Sequence, residues 1–221
     1  MFFYVIGGKR MNNIFEVIGP YLTLIFLLIL FIVFGLILKR SDIKKSGNIG
    51  ERKAREALSE LNSEYTVLSN LRLTYNHESN ETDDIIVGPT GIFVIEVKNH
   101  NGYIVGNEQD YEFTQYKVGR KGGRYSKKIY SPVKQVNKQV FILSQILKSN
   151  GMNHWINSIV LFTNPKVKLN IKSTRVKVMK LKFGNKNNLI NYIEEQVPKR
   201  KLREKECESI VEIINEYSKS K

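Results

Sequence analysis

The fold is decided by residues 83–99, which read DDIIVGPTGIFVIEVKN. Two runs of β-branched and aromatic residues flank a Gly-Pro-Thr-Gly segment, a pattern that predicts an antiparallel hairpin with a tight turn. A two-residue turn at Pro89-Thr90 places Asp83 directly opposite Glu96 on the neighbouring strand. Because side chains alternate along a strand, Lys98 lies on the same face as Glu96. The sequence therefore predicts a charged patch on an otherwise apolar hairpin.

The two opposed carboxylates, Asp83 and Glu96, form a candidate metal site. Directly opposed side chains have Cβ atoms about 4.5–5.5 Å apart, so two carboxylates repel unless a cation joins them. Oxygen ligands favour Mg²⁺ or Mn²⁺, and one cysteine with three scattered histidines provides no zinc-ligand spacing. Beside such an ion, Lys98 would orient a nucleophile or stabilise charge on phosphorus during phosphodiester hydrolysis. The alternative is an ion pair on an exposed sheet face, with Asp84 as one more acid.

The chain is basic, with a formal net charge of +14 at pH 7 and a hydrophobic fraction of 42%. The hydrophobic fraction is enough to build a core and excludes a disordered chain. The excess of Lys and Arg attracts polyanions through its long-range field, which favours nucleic acid or anionic lipid as a partner. A basic but inert solvated surface is the third interpretation. Charge alone does not distinguish nucleic acid, anionic lipid and an inert surface, so the choice depends on the sequence motifs.

Residues 18–38, IGPYLTLIFLLILFIVFGLIL, carry no charge. At about 1.5 Å per residue this run spans the roughly 30 Å hydrocarbon core of a bilayer, which predicts a transmembrane helix. A cleaved signal peptide is the alternative, but Lys39-Arg40 follow the run where a small-residue cleavage site belongs.

The flanking charges predict the orientation of this helix. Lys and Arg are more numerous just after the span than before it, so the positive-inside rule places the C-terminal part in the cytoplasm. The prediction is a single-pass protein of the cell membrane, in which the juxtamembrane Lys and Arg side chains are placed to contact anionic lipid.

Downstream of the span, helical and strand patterns alternate. Apolar residues at helical spacing follow Asn48, and Ser131-Pro132 is typical of an N-cap with proline at the first helical position. The polar run 76–82 predicts a loop, whereas the Gly-, Lys-, Tyr- and Arg-rich segment before Tyr130 indicates no clear element. This order predicts an α/β (α+β) domain with one mixed β-sheet flanked by helices. The expected organisation is a tail at 1–17, a transmembrane helix at 18–38, a basic juxtamembrane linker at 39–47, a folded domain at 48–198 and a charged C-terminal helix at 199–221.

Three blocks in chain order resemble the nuclease-related (NERD) domain of the PD-(D/E)xK nuclease superfamily. They are Gly47-x-x-Gly50-Glu51, the hairpin of residues 83–99, and the segment Ser131-Pro132-Val133-Lys134-Gln135. The resemblance spans roughly residues 47–165 and implies a restriction-endonuclease-like mixed sheet flanked by helices. Asp84 is a departure, because family members often have histidine after the metal-binding aspartate.

The resemblance also implies roles for individual residues. Glu51 would be the acid of the first helix, and on the residues alone it serves equally well to favour the helix N-terminus. Asp83 would be the metal-binding aspartate, Glu96 and Lys98 the E-x-K pair, and Gln135 a helix residue that reaches the same site. The predicted catalytic residues are therefore Glu51, Asp83, Glu96, Lys98 and Gln135, with Asp83, Glu96 and Glu51 as ligands of Mg²⁺ or Mn²⁺.

The leading hypothesis is a membrane-tethered, Mg²⁺-dependent nuclease that hydrolyses phosphodiester bonds of DNA, with RNA as the second nucleic acid that the same chemistry serves. One alternative is a catalytically silent nucleic-acid-binding or docking module that keeps the nuclease fold. The other is a basic surface that mainly binds anionic lipid beside the membrane anchor.

Overall fold

The computed structural model describes residues 6–119, 122–182 and 187–220. The chain divides into two compact units, Met1–Ser46 and Gly47–Lys221. Helix α1, Ile6–Leu58, supplies the described part of the first unit and the first helical turns of the second. The charged segment 39–47 is therefore helical, which agrees with the good helix propensity of its Lys and Arg residues.

The first unit is characterised by exposed apolar side chains. Large apolar residues from Tyr21 to Leu38 are between 44% and 75% exposed. By length and composition, one helix in the described part of the chain is able to cross a membrane, with a mean hydropathy of 3.0 in its most apolar window within Pro20–Leu58. An exposed apolar surface of this kind is typical of a segment that contacts lipid or another apolar partner.

The second unit contains all the strands and the remaining helices of the described chain. The further helices are α2 (Pro132–Ser149), α3 (Asn188–Glu194) and α4 (Glu204–Glu216). The strands are β1 (Thr66–Tyr75), β2 (Glu78–Gly88), β3 (Gly91–Lys98), β4 (Gly102–Asn107), β5 (Glu112–Val118), β6 (Arg124–Tyr130), β7 (Ile156–Phe162), β8 (Val167–Lys172), β9 (Lys177–Lys180) and β10 (Ser218–Ser220).

These strands form two mixed sheets. The main sheet has six strands in the order β10-β1-β2-β3-β7-β9, with β3, β7 and β9 parallel to one another. The second sheet has four strands in the order β6-β5-β4-β8, and β8 runs parallel to β4. The predicted mixed sheet with flanking helices is confirmed. The second sheet was not expected, because most of it comes from the segment before Tyr130 that indicated no clear element.

The β2–β3 hairpin has the predicted register. Gly88 pairs with Gly91 across the two-residue turn, and the ladder continues to Asp84 opposite Ile95. The turn is held from the C-terminal side of the chain: Thr90 Oγ1 donates to the carbonyl of Ile193 at 2.8 Å, and the Leu202 amide donates to the carbonyl of Pro89 at 3.0 Å.

The predicted loop at 76–82 is wrong, because most of it belongs to β2. The β1–β2 connection is only Asn76-His77, with φ angles of 45° and 66°. Two left-handed residues are what a tight type I′ hairpin turn requires, and asparagine tolerates that conformation. The polar residues that follow then lie on a partly exposed strand, where polarity does not indicate a loop.

Two apolar cores flank the main sheet, as strand alternation predicts for β3. Ile92 and Val94 pack in the core that includes α2, α4 and the inner face of the second sheet. Phe93, Ile95 and Val97 pack in the other core, against the last turns of α1 and against α3. Glu96 and Lys98 therefore lie on the face that α2 covers, which we call the α2 face, and the opposite side is the α1 face.

Candidate active site

The candidate site lies where β2 and β3 part. The last pair of their ladder is Asp84 with Ile95, and Asp83 is the next residue along β2. On its other edge β3 pairs with β7 from Ile92 to Lys98, so beyond Ile95 it keeps only this neighbour in the ladder. The Asp83 carboxylate accepts a hydrogen bond from the Val97 amide at 2.8 Å, so it remains attached to β3 beyond the end of the ladder.

Glu96 is a buried acid whose two oxygens both accept hydrogen bonds. The residue is 1% exposed. Lys98 Nζ donates to Oε1, and Gln139 Nε2 donates to Oε2 at 2.6 Å. Burial raises the pKa of Glu96 to about 7, against the lowering effect of Lys98 and with a further raising effect from Asp83. This carboxylate therefore changes its charge near neutral pH, which is typical of functional sites.

Lys98 connects Glu96 to the start of α2. Its ammonium also donates to Gln135 Oε1 at 3.0 Å, and its side chain is 21% exposed. The helix begins as predicted: the side chain of Ser131 accepts from the Lys134 amide, and Pro132 occupies the first turn. We call Asp83, Glu96, Lys98, Gln135 and Gln139 the α2-face cluster.

Sequence reasoning missed Gln139. Its amide nitrogen donates to Glu96 and also to the backbone carbonyl of Glu81 at 2.9 Å, and the residue is 1% exposed. A signal existed, because Gln139 follows Gln135 by four residues and such residues share one helix face. Gln139 lies inside the apolar stripe of α2, and that stripe by itself indicates a core-facing helix surface and not a polar site.

Glu51 lies in a separate group of polar residues on the α1 face. Its carboxylate is 4.0 Å from Arg55 Nη1. With the Asn70 amide nitrogen facing Glu51, Asn70 donates to Glu51 Oε2 at 3.1 Å and accepts from Arg55 Nη1 at 2.8 Å. Gly50 permits this approach of α1, since a Cβ there would lie 2.9 Å from the Cβ of Asn99. The structure thus brings together four of the five predicted residues and places Glu51 with other partners.

Asp84 is the buried acid of the same α1-face group. Ser69 Oγ donates to it at 2.5 Å, and burial raises its pKa to about 6, with Asp83 and Glu51 adding to the shift and Arg55 opposing it. We call Glu51, Arg55, Ser69, Asn70 and Asp84 the α1-face cluster.

The α2-face cluster contains oxygen donors that suit a divalent cation. Within residues 6–119, 122–182 and 187–220, no three His, Cys, Asp or Glu side chains form a ready metal site. The pair Asp83 and Glu96 nevertheless fits a hard cation, because both are carboxylates and Asp83 raises the pKa of Glu96. A cation beside them would remove that cost.

Comparison with known proteins assigns the chain to a family. The model of the nuclease-related domain, NERD, matches residues 46–163, which is more than half of the chain. The chain belongs to the NERD family. An uncharacterized protein of Bacillus anthracis is 31% identical over 135 residues, which cover 59% of this chain and 63% of that protein. The chain thus spans less than two thirds of that relative's length. No solved structure matches the chain.

Membership of the NERD family indicates the general function of the domain. The matched region contains both polar clusters and the whole of α2. A nuclease-related domain implies a nuclease-related function, a divalent metal as cofactor and nucleic acid as partner in general terms. The α2-face cluster is where the chemistry of the side chains agrees best with that function.

Proposed function

We propose that the chain is a membrane-tethered, Mg²⁺-dependent nuclease that hydrolyses phosphodiester bonds of DNA. The observation that supports this most directly is the contact of Lys98 with both Glu96 and Gln135, beside Asp83 at the point where β2 and β3 part. A buried acid in contact with a lysine, with a second acid close enough to raise the pKa of the first, provides the groups that phosphodiester hydrolysis needs.

Asp83 and Glu96 would hold the metal ion. When bound, a divalent cation supplies Lewis-acid polarisation of the scissile phosphate and lowers the pKa of a water. Glu96 is prepared for this role, because both its oxygens are already oriented by Lys98 and Gln139. Mn²⁺ has the same preference for oxygen ligands and would substitute for Mg²⁺.

Lys98 would serve the phosphate and the attacking water. Its ammonium has three donors, of which the structure uses two for Glu96 and Gln135. The remaining donor is available to a phosphate oxygen that develops charge in the transition state. Gln135 would hold the ammonium in place, and Gln139, which is buried, would position Glu96.

Glu51 would be the third acidic ligand of the metal ion. This role rests on the family resemblance. The present partners of Glu51 are Arg55 and Asn70. Binding of Glu51 to the ion would require it to leave Arg55, a contact of 4.0 Å between partly exposed side chains that is weak enough to be exchanged.

The membrane tether is proposed from the apolar helix of the first unit. The run within Pro20–Leu58 satisfies the length and hydropathy of a span, and Lys and Arg are more numerous after it. On this proposal the nuclease domain acts on the cytoplasmic side of the cell membrane, with its juxtamembrane basic residues near anionic lipid.

The test is cleavage of DNA by the full chain in detergent micelles with Mg²⁺. We expect Asp83→Ala and Lys98→Ala each to lower the cleavage rate by about a hundredfold or more. Lys138→Ala is the matched control, because it removes one exposed lysine from α2 without touching the cluster. Equal cleavage by all three variants would assign the activity to a contaminant.

A wild-type chain that binds DNA but never cleaves it would contradict the proposal in favour of the silent docking module. Calorimetry with Mg²⁺ and Mn²⁺ separates the two, since a module that only docks need not bind either ion. The same assay with RNA of equal length decides which nucleic acid is preferred.

A further inference from the structure

The outer face of the second sheet carries two neighbouring tyrosines whose rings are tilted toward each other. Ile104 and Phe113 point inward and are fully buried, so alternation directs Tyr103 and Tyr116 outward, where they are 41% and 49% exposed. The two residues are direct partners in the β4–β5 ladder. Their ring centroids are 6.2 Å apart with an interplanar angle of 32°. They offer aromatic surface to solvent on the same side of the sheet.

This pair is held in position by its surroundings. The Asn170 amide on β8 donates to the Tyr103 hydroxyl at 3.0 Å, which fixes the tilt of that ring. Gly102 precedes Tyr103 with a φ of 85°, and a Cβ there would lie 2.3 Å from the carbonyl oxygen of Tyr116. Glycine is therefore required for β4 to approach β5 at the tyrosines, so the pair is a built feature of the sheet.

A basic groove surrounds the tyrosines. It has a volume of about 650 Å³, and among the described residues that line it none is acidic. Four of the lining residues are cations. We call this site the tyrosine groove; its aromatic and basic lining residues are Tyr103, Tyr116, Lys117, Arg124, Tyr125, Lys166 and Lys168.

The adjacent half of the same face differs in charge. The neighbouring groove, of about 730 Å³, is lined by Asp110 and Glu112 as well as by Lys128 and Lys172. Its charges therefore balance, whereas those of the tyrosine groove are all positive. The contrast localises the attraction for a polyanion to the tyrosine end of the sheet.

Positive charge also continues from this end of the sheet toward the candidate active site. His100 follows Lys98 by two residues, and its pKa is lowered to about 4 by burial and then by the charges of Lys98, Lys127 and Lys117. Lys117 lines the tyrosine groove. The positive charges that act on His100 therefore include one lining residue of the tyrosine groove and the lysine of the α2-face cluster.

We propose that the tyrosine groove binds a single-stranded segment of DNA, with bases stacked on Tyr103 and Tyr116 and phosphates bound by Lys168 and Arg124. Aromatic platforms beside cations are the means by which proteins bind single strands without sequence preference. Bases in a duplex are stacked on one another and do not present their faces to such a platform. The choice of DNA rests on the proposed nuclease function, whereas the preference for a single strand rests on the groove.

The test is binding of a fluorescein-labelled oligothymidylate of about 20 nucleotides to the full chain in zwitterionic nanodiscs, with EDTA present. We expect the double variant Y103L/Y116L to bind about tenfold more weakly or worse. Y103F/Y116F should stay within about threefold of wild type, because it keeps both ring faces and loses only the Asn170 hydrogen bond. Tyr130→Leu is the matched control, because Tyr130 is 58% exposed on the same sheet face beside Glu112. Lys168→Gln should reduce the slope of log affinity against log salt by about 0.7, the value for one phosphate contact to a single strand.

Several results would overturn this inference. Affinity of Y103L/Y116L within twofold of wild type, equal affinity for a duplex of the same length, or tighter binding of oligouridylate would each contradict it. So would loss of binding to phosphatidylserine vesicles in Y103L/Y116L with DNA binding unchanged, which would make the face a lipid contact. EDTA prevents metal-dependent cleavage, so binding and cleavage are measured in separate assays. A chain that binds the single strand through the tyrosines in EDTA but does not cleave DNA in Mg²⁺ refutes the proposed function and leaves the inference about the groove intact.

Discussion

Each face of the β2–β3 hairpin carries a polar cluster with one buried acid, and the two acids differ in their partners. On the α2 face, Glu96 has a lysine in contact and an amide on its second oxygen. On the α1 face, Asp84 accepts from the Ser69 hydroxyl, while the arginine of that cluster is 43% exposed and binds Glu51 and Asn70 instead. A cation in contact with a buried acid is held in place where it can act on a substrate, whereas an exposed cation paired with partly exposed partners contributes little. This difference supports the proposal that the chemistry takes place on the α2 face.

The largest expected effect on stability is at Gln139. Gln139→Leu leaves Glu96 Oε2 and the Glu81 carbonyl without this donor, which should lower the free energy of unfolding by about 3 kcal/mol. Gln145→Leu on the same helix is the control and should change it by less than about 0.5 kcal/mol. Urea unfolding followed by the fluorescence of Trp155, the single tryptophan, measures both. Equal losses would show that the Glu96 contact is not what stabilises this face.

The next effect concerns the acid of the α1 face and depends on pH. Burial raises the pKa of Asp84 from 3.8 to about 6, so the native state binds this proton more tightly than the unfolded state. Its contribution to stability is full below pH 3.8 and is lost as the pH rises through about 6. Asp84→Asn should therefore raise the free energy of unfolding by about 2–3 kcal/mol at pH 8 and change it little near pH 4. Urea unfolding across this range tests it; a gain independent of pH would indicate packing instead of charge.

Metal binding should also distinguish the two faces. The expected change in binding free energy is smaller than the changes in unfolding free energy above. The pKa of Glu96 is raised to about 7, so at pH 6 a proton competes with the cation for the carboxylate. The dissociation constant for Mg²⁺, measured by calorimetry, should be about tenfold lower at pH 8 than at pH 6. Glu96→Gln should abolish binding, whereas Asp84→Asn on the opposite face should change it less than about threefold. A larger effect of Asp84→Asn would move the metal toward the α1 face.

The smallest expected effect is at Arg55. The 4.0 Å contact with Glu51 joins side chains that are 43% and 24% exposed, and such pairs contribute little in water. Arg55→Gln should change the free energy of unfolding by less than about 0.5 kcal/mol, as read from the same urea titration. A loss near that of Gln139→Leu would remove the contrast between the two faces.

The hairpin and α2 could be predicted because their signals are local. A two-residue turn fixes the register of β2 and β3, and Ser131-Pro132 marks the start of α2. Strand alternation then gives the shared face of Glu96 and Lys98. These features depend on residues within a few positions of one another, so a single sequence contains them.

The second sheet and the place of Glu51 depend on contacts that are distant in sequence. Strand β4 pairs with β8 more than sixty residues later, a contact that no local pattern reveals. Strand β6 is exposed along nearly its whole length, so it lacks the apolar pattern of a buried strand. Glu51 is directed by Asn70, whose left-handed φ of 56° in β1 no sequence pattern marks. Gln139 was hidden for the opposite reason, since a polar residue in an apolar stripe is visible only once its buried partner is known.

The anchoring of the Pro89-Thr90 turn has a consequence for where the domain can be cut. The family match ends at residue 163, yet the turn that sets the register of the site is bonded to Ile193 and Leu202. Ile210 and Ile214 of α4 also complete the core behind β2 and β3. The family-matched region is therefore smaller than the region that must fold together, and a fragment ending at the family boundary would lose the support of the hairpin that carries the candidate site.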